Sequence, residues 1–314
     1  MKKKAIIISI KGFNLSRKEK LLLSIEKPWG IILFKRNIES INQIKSLIKD
    51  IKKLTKDKKF PILIDEEGSS VSRLKNIFNH NFSANYFGKL YLINEKLCIQ
   101  IYKKYLDSLC KTLSNIGINV NTIPVLDILR SNTSKVIGNR SFSNKKEIVK
   151  RLGKITINQC HNNKIISVIK HIPGHGCARS DSHYKTPKVN LSIKELNKID
   201  YFPFKSSSSK LAMTAHIIYH KHDKNNVGTF SKKIISEVIR KKIGFRGILM
   251  SDDISMKALK YDLVTNAKKS LEAGCNLVLY CAGNINDNFK LIKSLPFIDK
   301  FTIKKTSEIY KILR

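Results

Sequence analysis

Fourteen consecutive residues, Lys170-His171-Ile172-Pro173-Gly174-His175-Gly176-Cys177-Ala178-Arg179-Ser180-Asp181-Ser182-His183, crowd three histidines together with other ionisable side chains. Glycines and a proline shape such a segment as a long loop, and loops on a rigid scaffold carry function disproportionately. Its histidines can exchange protons near neutral pH, since an unperturbed imidazole titrates near roughly 6.5. Carboxylates suited to nucleophilic or electrostatic work lie elsewhere, in Asp65-Glu66-Glu67 and Asp252-Asp253, and His216 falls between them along the chain. Taken singly, each of these has an ordinary explanation as a helix N-cap or a solvated loop residue. What they share is position, because each group directly follows a short apolar run.

Eight such runs recur: Ala5–Ile10, Ile31–Phe34, Pro61–Ile64, Ile118–Val120, Ile165–Ile169, Leu211–Thr214, Gly247–Met250 and Leu277–Tyr280. Between them lie stretches of helical periodicity, among them Ser40–Leu54, Glu95–Asn115, Lys145–Asn162, Ser231–Lys242 and Leu263–Ala273. Strands alternating with helices predict a parallel sheet, and eight units make a closed (β/α)₈ TIM-type barrel the economical α/β fold. An open doubly wound sheet would carry a G-x-G-x-x-G turn after an early strand, and none is present. In a barrel the residues at the C-terminal strand ends converge on one mouth, so Asp65, Lys170, His171, His216 and Asp252 are expected on a single rim.

Length, at 314 residues with 42% hydrophobic content, suits one barrel domain spanning 1–314. A formal charge of +36 invites a polyanion-binding reading. The lysines are nevertheless spread through nearly every helix and loop together with an excess of Ile and Asn, as an AT-rich coding bias produces. A polyanion-binding protein therefore stands as an alternative whose mark would be a concentrated basic patch. Six cysteines form no CxxC pair and no metal-ligand spacing with histidines, which fits reduced thiols in a cytoplasm and no metal. The opening MKKKAIIISIKG has too short an apolar core for a secretory signal and reads as a first strand. No run approaches the roughly 20 apolar residues of a membrane span. A monomer with no membrane and no specific nucleic-acid partner is expected.

The order of motifs is more informative than any one of them: Ile64-Asp65-Glu66-Glu67-Gly68 with Arg73, then Ile137-Gly138-Asn139-Arg140-Ser141-Phe142, then KHIPGHG with Asp181-Ser182-His183, then Met213-Thr214-Ala215-His216, then GILMSDDISM over 247–256. This series resembles the family 3 glycoside hydrolases, and within them the bacterial peptidoglycan-recycling β-N-acetylglucosaminidases, over nearly the whole chain. The resemblance implies a cofactor-free retaining exo-β-N-acetylglucosaminidase acting on muropeptide fragments such as N-acetylglucosaminyl-1,6-anhydro-N-acetylmuramyl peptides. It implies Asp252 as nucleophile, His183 as general acid/base and Asp181 as the carboxylate partnering that histidine. It also implies Asp65, Arg73, Arg140, Lys170 and His171 as the residues that hold the sugar hydroxyls. The chemistry agrees, since displacement at an anomeric carbon needs an ionised carboxylate on one face and a proton donor near the leaving oxygen. Asp181 would orient the His183 ring through its second nitrogen, as in a serine-protease triad.

Two departures bear on this reading. Relatives usually carry Asp-x-Glu-Gly-Gly-Arg-Val where this chain has Asp65-Glu66-Glu67-Gly68-Ser69-Ser70-Val71, so that motif's arginine is lost although Arg73 remains. Many relatives also have a second sandwich domain supplying a glutamate acid/base, and the chain is expected to end too soon for one, matching the short histidine-using branch. Phosphorolysis on the same site stays open, since a histidine in place of a carboxylate repels an incoming phosphate less. A zinc-dependent hydrolase is the other enzymatic alternative. His175 is left outside the catalytic set, and His80, His161, His220 and His222 are expected at the surface.

Overall fold

In the computed structural model, which describes residues 2–78, 80–131, 133–134, 136–178 and 186–313, strands and helices alternate along most of the chain. The strands are β1 (Lys4–Ile8), β2 (Pro28–Leu33), β3 (Ile62–Ile64), β4 (Val120–Asn121), β5 (Ile166–Ile172), β6 (Lys188–Val189), β7 (Leu211–Thr214), β8 (Ile218–Tyr219), β9 (Ile248–Asp253) and β10 (Leu277–Leu279). Eight of them close a barrel in the order β1-β2-β3-β4-β5-β7-β9-β10, every neighbouring pair parallel. The remaining two, β6 and β8, pair as a small parallel ribbon outside it. The expected TIM-type barrel is therefore the fold.

Side-chain alternation sorts the apolar residues into two cores. Ala5 and Ile7, Ile166 and Val168, Leu211 and Met213, and Ile248 and Met250 fill the barrel interior. Their alternate neighbours Ile6, Ile8, Ala212 and Leu249 face outward against the helices. Helix α2 (Ile41–Thr55) shows why these helices form, burying Ile44, Leu47, Ile48 and Ile51 at helical spacing. The Ser40 side chain caps its first turn by accepting from the Gln43 N–H. Helix α4 (Glu95–Ile116) ends where Gly117 turns left-handed at φ 91°. Residues 234–242, read as part of an α-helix, form a π-helix instead.

The inward phase explains how the mouth is built. Counting on by two from Leu63, Val168 and Met250 reaches Asp65, Lys170 and Asp252, and from Val120 it reaches Thr122. Each of these four strands therefore aims a polar side chain over the apolar plug at its C-terminal end.

Candidate active site

Asp65, Arg73, Arg140, Lys170, His171 and Asp252 all line one cavity of about 190 Å³ at that end of the barrel, together with Glu67, His175, Asp253 and an apolar rim that includes Phe34, Val136 and Met256. Six residues singled out from sequence are thus brought together from positions scattered over nearly two hundred residues. Asp181 and His183 lie outside the described residues.

One side of the cavity is an ionic cluster. The Lys170 ammonium lies 2.6 Å from Glu67 Oε1 and 3.1 Å from Asp65 Oδ1, and donates to Thr122 Oγ1 at 2.9 Å. An ammonium has three donors, so all of them are committed within the protein. The Arg140 guanidinium grips Glu67 with two hydrogen bonds, Nε to Oε2 at 2.7 Å and Nη2 to Oε1 at 2.9 Å, and also donates to the Val136 carbonyl. Asp65 further accepts from Thr122 Oγ1 and lies 3.5 Å from the Arg73 guanidinium. Burial by itself would raise both carboxyl groups, but Lys170 and Arg73 hold Asp65 well below the usual carboxylate range. Arg140 and Lys170 likewise draw Glu67 down to about 2. Glu67 is not among the residues expected from sequence to hold a sugar, yet it is the anion that pairs with two of them, Arg140 and Lys170.

Two further carboxylates brace this wall from behind. Glu66 is fully buried and does not face the cavity; it accepts the Arg73 and Leu74 backbone N–H groups at 2.7 and 3.0 Å and bonds His80 Nε2 at 2.8 Å. His80 therefore is not a surface residue, because its other ring nitrogen meets Tyr105 and the whole arm folds the 65–80 loop inward. His222 is buried as well and His161 half-buried, so of the histidines assigned to the surface His220 alone is exposed. Asp127, unnoticed in sequence, accepts from His171 Nδ1 at 2.6 Å and from the His175 backbone N–H at 2.6 Å. It follows β4 within Pro124-Val125-Leu126-Asp127, so the rule that found the other carboxylates applies to it too.

Across the cavity stands Asp252. Burial would raise its carboxyl, and His216, His171, the Asp253 backbone N–H and Lys170 together outweigh that and lower it. The Asp253 N–H reaches Oδ1 at 2.8 Å, and among the described residues Oδ2 has no hydrogen-bond partner. Burial lowers the His216 imidazole, whose Nε2 donates to the Asp253 carbonyl at 3.0 Å and whose Nδ1 meets Thr229 Oγ1 at 2.7 Å. Asp253 differs from its neighbour: burial raises its carboxyl, which turns away to bond Ser255 and the Cys281 N–H. An ionised, half-free carboxylate beside a polar clamp suits nucleophilic attack on a held polyol.

The motif loop begins tightly packed. Residues 174–176 are buried, Gly174 sits at φ 132°, and a Cβ on Gly176 would come within 1.9 Å of the Ile128 carbonyl oxygen. In the 65–71 turn, where relatives carry a second glycine, Ser69 takes a left-handed φ of 46°. Ser70 there donates to Asn139, tying the turn to the segment that carries Arg140. Among the described residues no group of three or more His, Cys, Asp or Glu side chains could hold a metal ion, and no helix is long and apolar enough to cross a membrane.

Residues 3–306 match the family described as Glycosyl hydrolase family 3 N terminal domain. The β-hexosaminidase of Haemophilus influenzae is 33% identical over 303 residues, 93% of this chain and 85% of that protein. That of Actinobacillus succinogenes is 33% identical over 305 residues, 94% and 87% of the two chains. The crystal structure of NagZ from Neisseria gonorrhoeae in complex with N-trifluoroacetyl-D-glucosamine superimposes with a TM-score of 0.90 at 30% identity, covering 98% of this chain and 90% of that one. A barrel with its carboxylates gathered at one mouth and these likenesses define the class: the chain belongs to glycosyl hydrolase family 3. Within that family it is a glycoside hydrolase of the β-hexosaminidase type.

Proposed function

We propose that this protein is a retaining exo-β-N-acetylglucosaminidase in which Asp252 is the nucleophile, His183 the general acid/base and Asp181 the carboxylate that orients it. Asp65, Arg73, Arg140, Lys170 and His171 hold the terminal N-acetylglucosamine. The carrying observation is Asp252 itself, a carboxylate lowered by basic neighbours, with one oxygen unpartnered among the described residues, lining the same cavity of about 190 Å³ as the Asp65–Glu67–Lys170 cluster. In a retaining reaction that oxygen attacks the anomeric carbon while a protonated group delivers a hydrogen to the departing oxygen, and the same group then draws a proton from water. The clamp fixes the ring so that attack is effectively intramolecular.

The substrate is a muropeptide fragment with a terminal non-reducing N-acetylglucosamine, and the role is cell-wall recycling in the cytoplasm by a single-domain monomer. The names of the relatives and the N-acetylglucosamine analogue in the gonococcal NagZ crystal support the sugar. Reduced thiols suit a cytoplasm; Cys110 and Cys160 lie 3.9 Å apart in the core as free thiols. Incubation with an aryl N-acetyl-β-glucosaminide, with and without phosphate, tests the reading. Release of β-N-acetylglucosamine independent of phosphate is expected. N-acetylglucosamine 1-phosphate as the product would replace hydrolysis by phosphorolysis, and no turnover at all would overturn the assignment.

A further inference from the structure

Arg73 differs from the other cations of the cavity in what holds it. Lys170 commits its donors to Glu67, Asp65 and Thr122, and Arg140 is bound to Glu67 and the Val136 carbonyl. The Arg73 side chain has no such anchor among the described residues. Its Nη2 stands 3.5 Å from Asp65 Oδ2, too far for a good hydrogen bond, and its Nε is buried without a partner. Asp65 is itself already engaged by Lys170 and Thr122. The Arg73 side chain is 28% exposed and lines the cavity, so some other interaction has to fix where its charge sits.

The ring of Phe34, which lines the same cavity, supplies that interaction. The guanidinium carbon of Arg73 lies 5.3 Å from the Phe34 ring centroid, over the ring, and that of Arg36 lies 4.7 Å from the same centroid. A cation within about 6 Å of a ring face is attracted by its negative potential. Arg36 is fixed without the ring, since it donates to the Ile10 and Cys281 carbonyls and to Ser9 Oγ. Arg73 is not. Burial lowers the Arg36 guanidinium and the Arg73 charge adds to that lowering, so the two cations repel each other while sharing one ring. The ring stands on a fixed backbone: Phe34 directly follows β2, its N–H donates to Asn37 Oδ1 at 2.9 Å, and the buried Asn37 amide donates on to the Ile10 and Gly12 carbonyls.

We infer that Phe34 is a positioning residue of the sugar site, its ring face holding the Arg73 guanidinium in place and leaving the guanidinium N–H groups to a hydroxyl of the bound sugar. The inference rests on the sugar-binding reading of the cavity, and Phe34 acts through Arg73. A carboxylate or carbonyl anchor would occupy N–H donors, whereas a ring face attracts the charge as a whole and occupies none of them. This is the difference between Arg73 and its neighbours Arg140 and Lys170, whose bonds within the protein must loosen before they can serve a ligand.

The experiment measures KM, kcat and thermal midpoint on 4-nitrophenyl N-acetyl-β-glucosaminide for Phe34→Leu, for Arg73→Ala, for the two combined, and for proteins carrying a di- or trifluorinated phenylalanine at position 34. Fluorine drains negative potential from the ring face and nearly preserves its shape, so packing is kept while the attraction for the cation falls. Phe34→Leu and the trifluorinated ring should each raise KM about three- to tenfold, and the difluorinated ring less, with kcat changed far less. The fluorinated proteins should melt with the unaltered one. Once Arg73 is alanine, loss of Phe34 should raise KM by less than about twofold further, because the two residues act as a unit. A KM indifferent to fluorination would make Phe34 a packing residue, and full additivity of the two substitutions would make it a direct sugar contact; either result overturns the inference. So does an Arg73→Ala protein with unchanged KM, which would take Arg73 out of the sugar site. Absence of turnover by the unaltered protein is distinct from all of these, since it would sink the glycosidase assignment itself.

Discussion

Replacing Glu67 by glutamine isolates the charge that holds Arg140 and Lys170 together. The carboxylate is 5% exposed and neutralises two cations, Arg140 at 13% and Lys170 at 3% exposure. Removing one partner from a buried pair typically costs about 3–5 kcal/mol, because the remaining charge stays buried. The amide keeps an acceptor oxygen and Asp65 still faces Lys170, so the lower end, about 3 kcal/mol, applies. Titration reaches a similar size. A glutamate drawn from 4.5 to about 2 contributes roughly 3 kcal/mol, fully present above the unfolded value and lost as pH falls between them. With an unfolding entropy of about 2.1 cal/mol/K per residue, 314 residues give roughly 0.66 kcal/mol/K, so the midpoint should drop by about 4–5 °C at pH 7. Calorimetry between pH 7 and pH 2 should show the gap narrowing as the unaltered protein loses its own Glu67 charge. Turnover of an aryl N-acetylglucosaminide should suffer mainly in KM, since Arg140 and Lys170 lose their orientation. A midpoint within 1 °C of the unaltered protein, together with an unchanged KM, would refute the idea that Glu67 holds these cations in place.

Asp252→Asn should abolish turnover whatever the leaving group, because no glycosyl-enzyme forms without the carboxylate; steady turnover of a nitrophenyl substrate would remove Asp252 from the nucleophile's role. His183→Ala should slow sugar leaving groups by about 10²–10⁴-fold while sparing a nitrophenyl group in the first step, with Asp181→Ala a milder version and the double variant little worse than His183→Ala alone. Equal slowing of good and poor leaving groups would reassign His183 to substrate positioning. Ser69→Gly should raise the midpoint by about 1 °C, since relief of a left-handed φ, worth roughly 1–2 kcal/mol, exceeds the extra freedom glycine brings to the unfolded chain. A fall in the midpoint would mean that the Ser69 hydroxyl contact with Asn139 outweighs the strain.

Local pattern was enough for the scaffold, because strand and helix periodicities differ and each element carries its own signal. The run Leu211–Thr214 is the strand found, and α7 (Leu263–Ala273) spans the residues expected of it. The same logic reached the mouth: a polar residue two positions beyond an inward-facing apolar one must sit on the rim, which is why Asp65, Lys170 and Asp252 were legible. Their partners were not. Glu67 pairs with Arg140 across 73 positions, Lys170 with Asp65 across 105, and His171 with Asp127 across 44. Such choices depend on which strands the closed barrel sets side by side, and a sequence pattern carries no distance between them. Burial was settled the same way. His80 and His222 look like ordinary surface histidines by their neighbours in sequence, and only the packing of the 65–80 loop over Tyr105, and of the segment after β8, takes them out of water. The charge state of Asp252 is likewise a tertiary property: the identity of the residue supplies a carboxyl group, while His216, His171 and Lys170, drawn from two other strand ends, decide that it stays ionised in a buried site.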